Sequence, residues 1–108
     1  MMDELERVIY INNLFQIYGK LLSDTQQEII TDYYEYNLSL SEIAENRNIS
    51  RAAVDDALKK GVSKLEKYEE DLKIYQRNED IKSLLNKLKE NDLDDEIKDI
   101  IKEIEGRL

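Results

Sequence analysis

The sequence predicts an all-α protein: a helix-turn-helix domain with a long recognition helix and additional C-terminal helices. Three observations carry that prediction. Proline is absent and only three glycines occur in 108 residues, so little interrupts helices in a chain rich in Leu, Ile, Glu, Lys and Asp. Apolar residues recur at steps of three and four, the helical period, and do not alternate. Residues 38–60, LSLSEIAENRNISRAAVDDALKK, hold two helix-start signals separated by a short polar turn. A chain of this length is expected to form one domain over residues 1–108, with the helix-turn-helix at about 39–60 and a helical extension at about 79–108.

The first helix is expected over residues 3–18, where Leu5, Val8, Ile9, Ile11, Leu14, Phe15, Ile17 and Tyr18 form an arc broad enough to be largely covered. Gly19 and Lys20 loosen its end. Ser23 with Gln26 three residues on is a capping-box pattern, the serine accepting from a free amide while the glutamine reaches back. It opens a helix through about Tyr36, with Ile29, Ile30, Tyr33 and Tyr34 inward. Tyrosines at helical spacing beside isoleucines read as core residues with their hydroxyls at the rim.

Ser39 and Glu42 repeat the capping box before Leu40, Ile43 and Ala44, and Ser50 caps a further helix carrying Ala53, Val54, Ala57 and Leu58. Only residues 46–49 remain for the turn, and Asn48 sits where such turns require a positive φ, which asparagine tolerates. Ala44 falls at the helix crossing, with Ile43, Ile49, Val54 and Leu58 as the expected small core.

The second helix of the motif shows no stop signal before Tyr75. Val54, Leu58, Gly61, Leu65, Tyr68, Leu72 and Tyr75 follow a heptad over about three repeats, for a length of roughly 37 Å at 1.5 Å per residue. Gly61 invites a close crossing or a bend. Two amphipathic segments follow, residues 79–90 with Ile81, Leu84, Leu85 and Leu88, and residues 93–108 with Ile97, Ile100, Ile101, Ile104 and Leu108. Asp92 is the expected cap of the last helix. Its narrow stripe suits either packing within the chain or a dimer or partner-protein surface, and a homodimer through the seam at Ile97, Ile100, Ile101, Ile104 and Leu108 is expected.

Charge and composition limit the function. The formal net charge is −9, divided as −5 over residues 1–38, +1 over 39–67 and −5 over 68–108. The motif is the least acidic third, yet not the basic stripe of a tight nucleic-acid binder. With neither histidine nor cysteine, the chain lacks the commonest general base, thiol nucleophile and metal ligands, and it has no phosphate-cradling glycine loop. Catalysis and cofactors are therefore not expected. No apolar run of membrane-spanning length occurs, and with acidic residues at the N-terminus the expected location is the cytoplasm, without membrane insertion.

The candidate nucleic-acid contacts lie on the outer side of the motif's second helix. Ser50 and Arg51 sit at its N-terminus, where phosphate is favoured. Ala52 and Asp56 point outward with Lys59, and Lys60, Lys64 and Lys67 extend the contact. Arg51 with Asp55, Asp55 with Lys59 and Asp56 with Lys60 are spaced to pair within the helix. The expected binding to DNA or structured RNA is therefore weak and salt-sensitive. The other reading is a protein-binding adaptor that keeps the fold without reading DNA.

LFQIYGKLLSDTQ at residues 14–26, DYYEYNLSLSEIAEN at 32–46, ISRAAVDD at 49–56 and KLEKYEEDL at 64–72 together resemble the YlxM family of small bacterial helix-turn-helix proteins. That family is related in its motif to the fourth region of sigma factors. Asn48 stands where the family usually carries glycine and Ala52 where glutamine is usual, so a side chain able to reach a base edge is absent. The family's genes lie beside those of the signal recognition particle GTPases. The resemblance thus implies a regulatory protein acting with signal recognition particle components.

Overall fold

The computed structural model describes all 108 residues. It is all-α, with six α-helices: α1 Glu4–Tyr18, α2 Asp24–Ile30, α3 Leu40–Arg47, α4 Arg51–Leu72, α5 Ile74–Lys89 and α6 Asp95–Glu105. A 3-10 turn, Gly19–Leu21, links α1 to α2, and a π-helical segment, Thr31–Glu35, follows α2. Where one domain is expected from length, the chain clusters into two compact units, Met1–Leu72 and Lys73–Leu108. No helix is long and apolar enough to cross a membrane.

The first unit is built on α4, which packs against α1, α2 and α3. Its core is Ile11, Leu14 and Tyr18 of α1, Ile29 and Ile30 of α2, Ile43 and Ala44 of α3, and Val54, Leu58 and Leu65 of α4, all buried. The capping boxes at Ser23 and Ser39 form as expected, with both reciprocal bonds present. Gly61 is buried, and a Cβ there would lie 2.8 Å from Ile30 Cδ1 and 3.5 Å from Gln26 Cβ. The glycine therefore permits a close crossing of α2 and α4, and α4 continues unbroken through it.

Polar links tie the same helices at their edges. The Arg47 guanidinium at the end of α3 donates from Nε to Asp32 at 2.7 Å and from Nη1 to Glu28 at 2.8 Å. The hydrogen bond to Asp32, with the charges of Asp32 and Glu28, raises the arginine's pKa further. Arg7 of α1 donates to both carboxylate oxygens of Glu66 on α4, at 2.9 and 3.4 Å. Deeper in, the buried Tyr18 hydroxyl donates to the buried Glu69 carboxylate at 2.7 Å, joining the C-terminal end of α1 to the far end of α4.

Several sequence expectations are corrected. The heptad helix stops at Leu72, not Tyr75: Lys73 adopts φ 55°, ψ 32°, and a new helix begins at Ile74. Leu72 is accordingly exposed and Tyr68 only half-buried. The π-helical residues after Ile30 add backbone to the turn and shift its register, so Tyr34 is half-buried while Tyr33 reaches the surface, the two rings meeting edge-on at 5.0 Å. Burial raises the Tyr34 pKa. On α1, Leu5 and Ile9 are exposed, so the covered arc is narrower than its apolar spacing implies. The cap of α6 is Asp94, whose carboxylate accepts from the Ile97 amide at 2.9 Å, and not Asp92.

Two substitutions test this packing. Ala44→Leu is expected to destabilise the protein by roughly 1–3 kcal/mol through overpacking at the α3–α4 crossing, and thermal or denaturant unfolding measures it. Tyr18→Phe keeps the ring but removes a bond to a buried carboxylate. The expected loss is about 1.5–3 kcal/mol by denaturant titration, in the range for hydrogen bonds to charged groups.

Candidate nucleic-acid interface

The turn of the motif sets the position of everything on α4. Asn48 adopts φ 55°, ψ 46°, the left-handed conformation expected of it. Its amide donates to Glu45 O, and the Ile49 amide donates to Ala44 O at 3.1 Å, closing the end of α3 as a Schellman motif. Ile49 is 40% exposed, so the expectation that it joins the core is corrected. Buried Ile43, Ala44, Val54 and Leu58 do make that small core.

Ser50 then starts α4. Its hydroxyl oxygen accepts from the Ala53 amide at 3.0 Å, and its carbonyl accepts from the Val54 amide at 3.1 Å. The hydroxyl proton is left to donate outward. All eight candidate residues, Ser50, Arg51, Ala52, Asp56, Lys59, Lys60, Lys64 and Lys67, are exposed. They do not form one cluster. Arg51 and Ala52 line an open groove of about 410 Å³ with Leu40 and Asp55. Lys67 lies about 24 Å farther along the axis at 1.5 Å per residue. Lys64 turns toward α2, its ammonium 3.5 Å from Gln26 Oε1.

Charge on this face is largely paired within the helix. Lys59 donates to Asp55 at 2.8 Å, Lys60 to Asp56 at 3.0 Å and Lys67 to Asp71 at 3.2 Å. The hydrogen bond that Lys59 donates to Asp55, then the charge of Asp55, raises the Lys59 pKa, and Asp71 does the same for Lys67. These ammonium groups stay protonated, and each already has an anion beside it. Of the three spacings open to pairing, Arg51 with Asp55 is the one that does not form, because Lys59 takes the Asp55 carboxylate. Arg51 is thus an exposed guanidinium without a carboxylate partner, at the positive end of a helix of 22 residues.

Two features of the site have no local signature in the sequence. Leu40 and Asp55 share the groove with Arg51, a placement visible only once the two helices cross. Arg47 holds α3 onto α2 through residues 15 and 19 positions away, and no local spacing signals such a pair.

A small-residue crossing between two capped helices joined by a tight turn, with the second helix's N-terminus open to solvent, defines a helix-turn-helix protein. Comparison with known proteins agrees. The chain belongs to the UPF0122 family, described as "Putative helix-turn-helix protein, YlxM / p13 like", which it matches over residues 5–105. The match reaches through α5 and α6, beyond the segments that carry the resemblance in the sequence. A UPF0122 protein of Fusobacterium nucleatum is 43% identical over 100 residues, covering 93% of this chain and 97% of the relative. One from Malacoplasma penetrans is 42% identical over 96 residues, covering 89% of each. Another, from Thermoanaerobacter pseudethanolicus, is 41% identical over 103 residues, covering 89% of this chain and 88% of the relative.

Proposed function

We propose that this protein is a non-catalytic regulatory module that contacts nucleic acid, duplex DNA or structured RNA, through the N-terminal end of α4, weakly and with little sequence preference. Arg51 carries the reading. Unlike Lys59, Lys60 and Lys67 it has no carboxylate partner, and unlike Lys64, which turns toward Gln26 of α2, it borders a groove at a helix N-terminus where phosphate oxygens are favoured. Asp55 and Asp56 on the same face repel phosphate, and Ala52 offers no donor to a base edge. Little sequence preference follows from that set.

The self-paired lysines favour a second reading, a protein-binding adaptor whose charged faces serve a protein or ribonucleoprotein partner. For either reading the setting we propose is the signal recognition particle pathway, on the strength of the family resemblance.

Titration against duplex DNA and structured RNA at several salt concentrations tests the first reading. Asp56→Lys removes a repulsion and frees Lys60, so binding is expected to tighten and the salt slope to steepen by about one to two. Arg51→Ala is expected to weaken binding to all sequences alike. Glu90→Lys makes the same charge change in the turn after α5 and is expected to leave affinity unchanged. Equal effects of the two lysine substitutions would mean that only net charge matters. No effect of any of the three would leave the adaptor reading.

A further inference from the structure

The C-terminal unit, Lys73–Leu108, holds a cleft of about 270 Å³ in which the helix-turn-helix takes no part. It is lined by Lys89 at the end of α5, Leu93 in the turn that follows, and Lys98, Ile101, Lys102 and Glu105 along one side of α6. Its floor is apolar, made by buried Ile101 and half-buried Leu93, and its rim is cationic. Lys89 is matched by Glu105 across the two helices, which leaves Lys98 and Lys102 as the uncompensated charges of the lining. Their spacing sets them apart. Elsewhere residues four apart on a helix pair opposite charges, Asp55 with Lys59, Asp56 with Lys60, Lys67 with Asp71 and Glu103 with Arg107. Lys98 and Lys102 place like charges at that spacing, which is unfavourable in a helix. Neither joins an ion pair. Of the acids near them in sequence, Asp94 has its carboxylate bonded to the Ile97 amide, and at about 100° per residue Asp95 and Asp99 fall on the edge of α6 away from Ile101.

We infer that this cleft binds a small monocarboxylate with an apolar body, its carboxylate held between the Lys98 and Lys102 ammonium groups and its body against Leu93 and Ile101. Charge and size together specify that class. An anion between the two ammonium groups relieves their repulsion, and an apolar body laid on Ile101 and Leu93 leaves water. Glu105, held by Lys89 on the α5 side, repels a second anionic group, and Asp95 and Asp99 beyond the lysines disfavour a polyanion. A single carboxylate therefore suits the cleft better than a nucleotide or a nucleic acid strand. The volume corresponds to about nine waters at roughly 30 Å³ each, room for a ligand of about ten non-hydrogen atoms. A medium-chain fatty acid and an arylacetic acid are both of that size. With few atoms to bury, the binding is expected to be weak, with a dissociation constant on the order of 0.1–1 mM.

NMR titration of the full chain with octanoate and with phenylacetate tests this, and the tighter of the two tells whether the body is a chain or a ring. Saturable amide shifts are expected around Leu93, Lys98, Ile101 and Lys102. Octanol, which lacks the charge, is expected to bind about tenfold more weakly. Lys98→Gln and Lys102→Gln are each expected to weaken carboxylate binding by about two- to fivefold, the effect of losing one exposed ionic contact. Lys82→Gln makes the same charge change on α5 outside the cleft and is expected to bind as the parent does. All three lysines are exposed, and circular dichroism of each variant should match the parent. Failure of both acids to give saturable shifts by about 10 mM, well above the expected dissociation constant, overturns the proposal. So does octanol binding as tightly as octanoate, or full affinity in both cleft variants. Equal losses in all three lysine variants overturn it too, since only net charge would then matter.

Discussion

The close approach of α2 to α4 at Gly61 is the constraint on which the first unit depends. Ile30 is fully buried, with its terminal methyl where a side chain on residue 61 would begin. That contact brings α2 close enough for Ile29 and Ile30 to share a core with Leu58, Val62 and Leu65. The same approach fixes where α2 ends, and so where Glu28 and Asp32 stand to receive Arg47 from α3. The helix-turn-helix is thus a branch of a packed unit, held by a short apolar crossing at Ala44 and by a partly buried guanidinium clamp. The orientation of α4's exposed face follows from these contacts. Glycine in mid-helix costs about 1 kcal/mol relative to alanine, and here that cost is offset by packing that alanine would disturb.

The candidate face inherits its character from the same helix. Because α4 must bury Val54, Leu58, Gly61 and Leu65 on one side, its remaining positions are free to carry charge, and they carry both signs at a spacing of four. Three lysines find aspartates within their own helix. Exposed pairs of this kind contribute little to stability, yet they reduce the positive potential offered to a polyanion. Arg51 is left as the one unmatched cation at the end where the turn presents it. A fold shared with sequence readers therefore comes with a surface poorly suited to reading sequence, and fold by itself does not decide function.

Much of this was legible in the residues. Ser23 with Gln26, Ser39 with Glu42, Ser50 and Asn48 each announce a local geometry that their own side chains create, and each adopts it. Gly61 signals a close crossing because glycine weakens a helix interior and offers no side chain to hold a neighbour away. What the sequence hides is set at a distance or by strain. Lys73 is a poor candidate for the left-handed region, where a non-glycine residue costs roughly 1–2 kcal/mol, so nothing in its neighbourhood marks the end of α4. The π-helical widening that turns Tyr33 outward has no residue signature, and Leu5 and Ile9 look like core because spacing records amphipathicity and not what lies opposite. At the candidate site the outward side of α4 was readable from the helical period. The competition of Lys59 and Arg51 for Asp55 depended on side-chain geometry and was not.

The most direct measurement of the central claim is a double-mutant cycle between Gly61→Ala and Ile30→Val, read by denaturant unfolding. In the parent, the added Cβ meets Ile30 Cδ1 at 2.8 Å, and overpacking of roughly 1–3 kcal/mol is expected to outweigh or cancel the gain in helix propensity of about 1 kcal/mol. With valine at position 30 that methyl is gone, so the same Gly61→Ala change is expected to be neutral or stabilising. The account predicts a favourable coupling of about 1–3 kcal/mol between the two sites. Additivity within about 0.5 kcal/mol, the behaviour of independent positions, would contradict it.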